Sequence, residues 1–142
     1  MELISIKRRN IVKYFSVSGV TFINRLTTSG TCMPEIRLII LQRSKLWKYI
    51  VDLVDHRETV DIVFWSGDHK YNCFDCYVTS FSNALDGDNW PDCHGEATIY
   101  GTRYIISDFN FGKSRFIKKA VMYAINEFLI PEKRQKLKII NH

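Results

Sequence analysis

The sequence has few glycines and prolines and no long apolar run. Its 142 residues include seven Gly and three Pro, which excludes collagen-like chains and Pro/Gly-rich disorder. The longest mainly apolar run, residues 36–41, contains Arg37 and falls far short of the about 20 residues that a membrane helix needs. We therefore expect no transmembrane segment and no membrane partner.

The amino terminus also lacks the pattern of a secretory signal. The charges of Lys7, Arg8 and Arg9 follow a very short apolar stretch, whereas a signal places its charges before a long one. This order favours a cytoplasmic protein. Because 46% of the residues are hydrophobic and 25% are charged, residues 1–142 are expected to form a single globular domain.

Charge is distributed unevenly along the chain, although the net charge is only +5. Residues 1–49 carry nine Lys or Arg against two acids, and residues 113–142 carry eight against two. Residues 50–112 carry three Lys or Arg against eleven acids. Two interpretations remain open: the acids neutralise basic residues of the same molecule, or the acidic segment forms a surface that meets another macromolecule.

Hydrophobic patterning predicts an α+β fold, in which a mainly antiparallel sheet of about six or seven strands carries two helices. Residues 3–26 contain short β-favouring stretches broken by turn residues, which predicts a meander of consecutive strands. Residues 36–41 are apolar enough for a central strand covered on both faces. Residues 59–81 indicate two strands joined by a turn at residues 66–69.

The first helix is predicted to follow Ser44 as its cap, and the second to span residues 114–129. Residues 82–96 are poor in aliphatic side chains and predict a long exposed loop, followed by a strand over residues 97–107. Residues 132–142 mix basic and apolar side chains, which fits either a basic tail or a final edge strand.

The leading functional hypothesis is a small protein-binding module. It would act as an inhibitor or immunity protein that blocks the cationic active site of a basic toxin or nuclease, because clustered carboxylates can occupy the place of phosphates. Trp90 would supply an apolar anchor within the acidic loop. The residues assigned to this partner surface are Asp68, Asp75, Asp86, Asp88, Trp90, Asp92 and Glu96.

Nucleic-acid binding through the two basic ends is the alternative. Lysine and arginine would contact phosphates, and Tyr14 or Phe15 would stack on bases. The residues assigned to this role are Lys7, Arg8, Arg9, Lys133, Arg134 and Lys136.

Catalysis is disfavoured, because the sequence has no Gly-x-Ser-x-Gly elbow and no recognisable triad order. A small metal-independent nuclease stays as a second alternative, in which His56 and His69 would serve acid–base cleavage of RNA.

The sequence contains four residues of the types that bind zinc, but their spacing does not favour a zinc site. Cys73 and Cys76 form a Cys-x-x-Cys pair, and Cys93 with His94 follow it at a distance. Residues 71–78 have the pattern of a strand, in which residues three apart point to opposite faces. The sequence therefore predicts no cofactor and reduced thiols, with zinc as the metal that these four residues would hold if they met.

Overall fold

The structure, a computed structural model, describes residues 2–82 and 93–108. Within these residues the chain forms eight strands and one helix. The elements are β1 (Glu2–Arg8), β2 (Ile11–Val17), β3 (Gly19–Leu26), β4 (Cys32–Leu41), α1 (Lys45–His56), β5 (Val60–Ser66), β6 (His69–Ser82), β7 (His94–Tyr100) and β8 (Arg103–Asp108). In the described part of the chain, no helix has both the length and the apolar character to span a bilayer.

All strand pairs are antiparallel, and the strand order is β2-β1-β5-β6-β7-β4-β3, with β8 also paired to β6. The two terminal strands of this path, β2 and β3, are separated only by Ser18, whose N–H donates to the carbonyl of Ile39 at 3.1 Å. The path therefore returns to the chain segment where it began. The strands of this path surround one core, which includes the fully buried Ile4, Leu38 and Ile62.

The long strand β6 joins two halves of the sheet. Its first half pairs with β5 on one side and with β8 on the other, whereas its second half pairs with β7. Strands β2, β1, β5, β6 and β8 consequently form a five-stranded half whose outer strands are β2 and β8. Strands β6, β7, β4 and β3 form the other half.

Helix α1 packs its apolar side on the core, as the sequence predicts. The side chain of Ser44 accepts a hydrogen bond from the N–H of Trp47 at 3.2 Å and caps the first turn. Leu46, Trp47, Ile50 and Leu53 are buried. The ring of Trp47 lies against Gly95 of β7, where a side chain would overlap it.

The predicted α+β class with two helices is wrong. The described residues form a mostly antiparallel, all-β-like fold with one helix. The second predicted helix, residues 114–129, and the segment 132–142 lie outside the described residues. The error has a physical basis: apolar spacing predicts which segments are amphipathic, but the arrangement of a sheet depends on pairing between distant strands.

Several local predictions also need correction. β3 pairs with β4 and not with β2, so the opening segment is not a meander. β4 is central, but only one of its faces is fully buried, and Arg37 is exposed on the other. Residues 94–96 of the predicted loop belong to β7. The predicted strand 97–107 is interrupted at Gly101, where a Cβ would lie 2.7 Å from the Pro34 ring and 3.0 Å from the Cys76 sulfur.

Candidate interaction surfaces

Arg8 is held by two carboxylates that come from the helix side of the molecule. Its Nε and Nη2 donate to the two oxygens of Glu58 at 2.7 and 2.9 Å, and its Nη1 donates to Asp52 at 2.5 Å. Arg9 also donates to Glu58. The hydrogen bond from Arg8 lowers the pKa of Glu58 to about 2 and also lowers the pKa of Asp52. These charges therefore neutralise one another within the molecule.

A groove with a basic lining separates β2 from α1. It has a volume of about 530 Å³ and is called the β2–α1 groove below. Lys13 places its Nζ 5.7 Å from the ring centre of Tyr49, whose ring lies 5.1 Å from that of Phe15. The lining residues are Val12, Lys13, Tyr14, Phe15, Lys45, Lys48 and Tyr49. Three of these carry ammonium groups and none carries a carboxylate.

A small acidic surface lies at the end of β8. Asp68 is exposed in the turn between β5 and β6, and Asp108 ends β8 with 98% of its side chain exposed. The Oδ1 of Asp108 lies 3.4 Å from Nδ1 of His69. These three residues are called the acidic tip below. Within the described residues, neither Asp68 nor Asp108 forms an ion pair with Lys or Arg.

The outer strands of the five-stranded half expose apolar side chains. Ile11 and Val12 of β2 are 61% and 47% exposed, and Ile105 and Ile106 of β8 are 53% and 43% exposed. In the described part of the chain, β2 pairs only with β1 and β8 pairs only with β6. Each outer strand therefore combines apolar side chains with one side that no described strand covers.

Sequence reasoning missed these two strands as candidate surfaces. The only local signal was the pairing of two adjacent bulky aliphatics, Ile105 with Ile106 and Ile11 with Val12, which breaks the alternation expected of a strand with one wet face. Such pairs fit a strand buried on both faces equally well. The distinction needed the tertiary structure.

The acidic residues assigned to a partner surface do not come together. Asp68 lies in the acidic tip, whereas Asp75 lies at an irregularity of β6, where its N–H donates to Asp61 at 3.0 Å. Glu96 lies within β7, between β4 and β6. The other members of that set, Asp86, Asp88, Trp90 and Asp92, lie outside the described residues.

The residues assigned to nucleic-acid binding also have different surroundings in the structure. Arg8 is engaged by Glu58 and Asp52, as described above, and Lys7 and Arg9 are exposed beside it. Phe15 is 4% exposed and belongs to the core, so it cannot stack on a base. Lys133, Arg134 and Lys136 lie outside the described residues.

The cysteines depart from the strand geometry that the sequence suggested. Cys73 pairs with Ile62 and Cys76 with Val60, so one extra residue on β6 turns both thiols to the buried side. Burial raises the pKa of Cys73 to about 12 and raises that of Cys76 as well. Cys93 is buried elsewhere and donates to Gln42 at 3.1 Å, and His94 follows it at the start of β7. Among the described residues no metal-ligand cluster of three forms.

The two histidines offered for RNA cleavage lie at different places in the fold. His56 ends α1 and its Nδ1 lies 3.2 Å from Asp52, which Arg8 also binds. His69 begins β6 in the acidic tip. The fold therefore does not bring them into one acid–base pair.

The solved chains that resemble this structure include the following three. A chain of the anti-feeding prophage baseplate is 8% identical, with 78% of this chain and 94% of that chain covered and a TM-score of 0.51. A chain of the PVC sheath/tube terminator, from an extracellular contractile injection system, is 14% identical, with 75% and 92% covered and a TM-score of 0.50. A chain of a native gene transfer agent virion is 9% identical, with 75% and 95% covered and a TM-score of 0.51.

These likenesses show a shared fold. No protein-family model and no curated protein matches the sequence. The inhibitor or immunity-protein hypothesis, with its toxin-neutralising role, is wrong, because the fold is that of chains from phage-tail-like and virion particles. The charges agree with this correction, since Asp52, Glu58 and Glu35 are paired with arginines of their own molecule.

Proposed function

We propose that this protein is a structural subunit that assembles with copies of itself into a ring or tube. The observation that carries the proposal is the pair of outer strands, β2 and β8, on opposite edges of one five-stranded half-sheet. Each exposes two adjacent apolar residues. An edge strand with apolar side chains is a ready template for pairing with a strand of another chain.

The two edges differ, so a contact between them is head-to-tail. In such a contact β8 of one copy meets β2 of the next, and an open assembly keeps one unused β2 edge at one end and one unused β8 edge at the other. A head-to-tail contact generates a closed ring when the rotation between copies closes, and an open helical filament when it does not. A two-copy assembly would leave two edges exposed, so larger assemblies are expected.

The fold comparison supports the same proposal. The resembling chains come from a baseplate solved with sixfold symmetry, a sheath/tube terminator and a virion, which are all built from many chains. The proposal extends this property from those particles to the present chain. Its partners are then proteins, beginning with further copies of itself.

The test measures the mass of the full-length chain by sedimentation velocity and its shape by negative-stain electron microscopy. Ile105→Lys and Val12→Lys each place a charge on the outer face of one edge strand. Thr98→Lys adds the same charge to the outer face of β7, which is paired on both sides.

The proposal predicts ring- or tube-shaped oligomers for the unaltered chain and for Thr98→Lys. Each edge variant should shift the chain toward the monomer, because an ammonium group at the contact would lose its hydration. A monomeric unaltered chain across the accessible concentration range would overturn the proposal, as would full assembly of both edge variants.

A further inference from the structure

The cross-strand register shows which residues of the two exposed edges, β8 and β2, lie in the same row of the sheet. Ile105 pairs with Asn72, Asn72 with Val63, Val63 with Ser5, and Ser5 with Tyr14. Ile105 and Tyr14 are therefore the two ends of one row across the five-stranded half. A neighbouring copy that continues the sheet without a shift brings its Ile105 beside Tyr14, which lines the β2–α1 groove.

The same continuation sets the position of the acidic tip. Asp108 lies three residues after Ile105, and Val17 lies three residues after Tyr14. By strand alternation from β2 through β8, these two outer strands run in the same direction. Asp108 of one copy consequently comes level with Val17 of the next, two residues beyond Phe15 of the groove.

Lys45 and Lys48 of α1 lie toward the end of the groove that is nearer to Val17. The helix runs so that Tyr49 lies near Lys13, and Asp52 and His56 lie near Arg8 and the β1–β2 turn. The first turn of α1, which contains Lys45 and Lys48, is therefore on the side away from that turn. This is the side where the acidic tip of a neighbour would arrive.

The charges on the two edges are opposite. The groove lining supplies the ammonium groups of Lys13 and Lys48 and no carboxylate. The acidic tip supplies the carboxylates of Asp68 and Asp108, and Asp108 is almost fully exposed. Lys70, the nearest basic residue on β6, follows His69 and points to the opposite face of the strand, because successive residues alternate.

We propose that the β2–α1 groove receives the acidic tip of a second copy of this chain, which fixes the register of the contact. This inference rests on the proposed function, since it assumes that copies meet edge to edge. Apolar contact between the edges would hold the copies together, and the opposite charges would select the head-to-tail pairing. Two β2 edges or two β8 edges would bring like charges together.

Charge reversal with rescue tests the inference. Lys48→Glu alters the groove and Asp108→Lys alters the tip. Arg57→Glu and Asp55→Lys reverse exposed charges that lie outside both surfaces. The readout is the dissociation constant for self-association from sedimentation equilibrium at low and moderate salt.

Each reversal at the groove or the tip should weaken self-association by about tenfold or more, because each places like charges together. Combining Lys48→Glu with Asp108→Lys should restore most of the affinity. Both control reversals should leave it unchanged. A circular dichroism spectrum of each variant shows whether it folds.

The outcomes separate this inference from the proposed function. If the unaltered chain assembles but neither reversal weakens it, or the combination fails to recover affinity, the groove–tip contact is wrong and the structural role stands. If the unaltered chain does not assemble, both are overturned. Weakening by both single reversals with recovery in the combination supports both.

Discussion

The guanidinium of Arg8 binds both carboxylate oxygens of Glu58, at 2.7 and 2.9 Å, and so joins the end of β1 to the residue that follows α1 and its cap. Fifty positions separate the two residues in the sequence. A bidentate arrangement of this kind is among the strongest of charge-assisted hydrogen bonds. Together with the hydrogen bond from Arg8 to Asp52 of α1, it connects the C-terminal end of the helix to the end of β1.

Acid should weaken the fold through this pair. Glu58 has a folded pKa of about 2, below its ordinary value of 4.5, so its contribution to stability is complete above about pH 5. The contribution is lost as the pH falls toward 2, because the unfolded chain binds the proton first. We expect the melting temperature to fall over this pH range. Circular dichroism at fixed protein concentration measures it.

Glu58→Gln should lower the melting temperature at neutral pH and flatten its decline in acid. The matched control is Asp55→Asn, which changes an exposed carboxylate near the end of α1 and should leave the profile unaltered. An acid decline as steep in Glu58→Gln as in the unaltered chain would show that the Arg8–Glu58 pair does not stabilise the fold.

Gly95 should tolerate no side chain. A Cβ at this position would overlap the ring of Trp47 and lie 2.7 Å from the backbone oxygen of Ser82. We expect Gly95→Ala to lower the free energy of unfolding by about 1–3 kcal/mol, the usual cost of overpacking. Gly19→Ala is the control, because its Cβ would meet Ile39 at an ordinary 3.6 Å. Urea denaturation measures both, and equal stabilities would refute the packing of α1 on β7.

The thiols should differ sharply in reactivity. Cys32 is exposed, whereas Cys73, Cys76 and Cys93 are buried. Burial raises the pKa of Cys73 to about 12, and the thiolate is the reactive form. We expect one thiol to react rapidly with Ellman's reagent in the folded protein and all four in urea. Rapid reaction of two or more thiols in the folded protein would contradict the burial of Cys73, Cys76 and Cys93.

The sequence predicted the local elements better than the way they combine. Ser44 and the apolar spacing after it predicted α1, and the turn at residues 66–69 predicted the β5–β6 hairpin; both are confirmed. These features depend on the conformational preferences of residues that are neighbours in the sequence, so they can be predicted from the sequence alone.

Features that depend on distant pairing were not predicted. The extra residue at Asp75 brings Cys73 and Cys76 to one face, and no local signal reveals it. The strand order, with β2 and β3 at the two ends of the path, likewise depends on the pairing of β2 with β1 and of β3 with β4. The candidate surfaces follow from this order, because it decides which strands lie at an edge.

Cross-linking of the two edges tests the self-assembly account most directly. In a Cys32→Ser background, Val12→Cys and Ile105→Cys place one thiol on each edge, and a short bismaleimide joins thiols that come close. The account predicts that the double variant forms a ladder of covalent oligomers while either single variant does not extend beyond a dimer. A double variant that stays monomeric at concentrations where the unaltered chain sediments as an oligomer would contradict contact between β2 and β8.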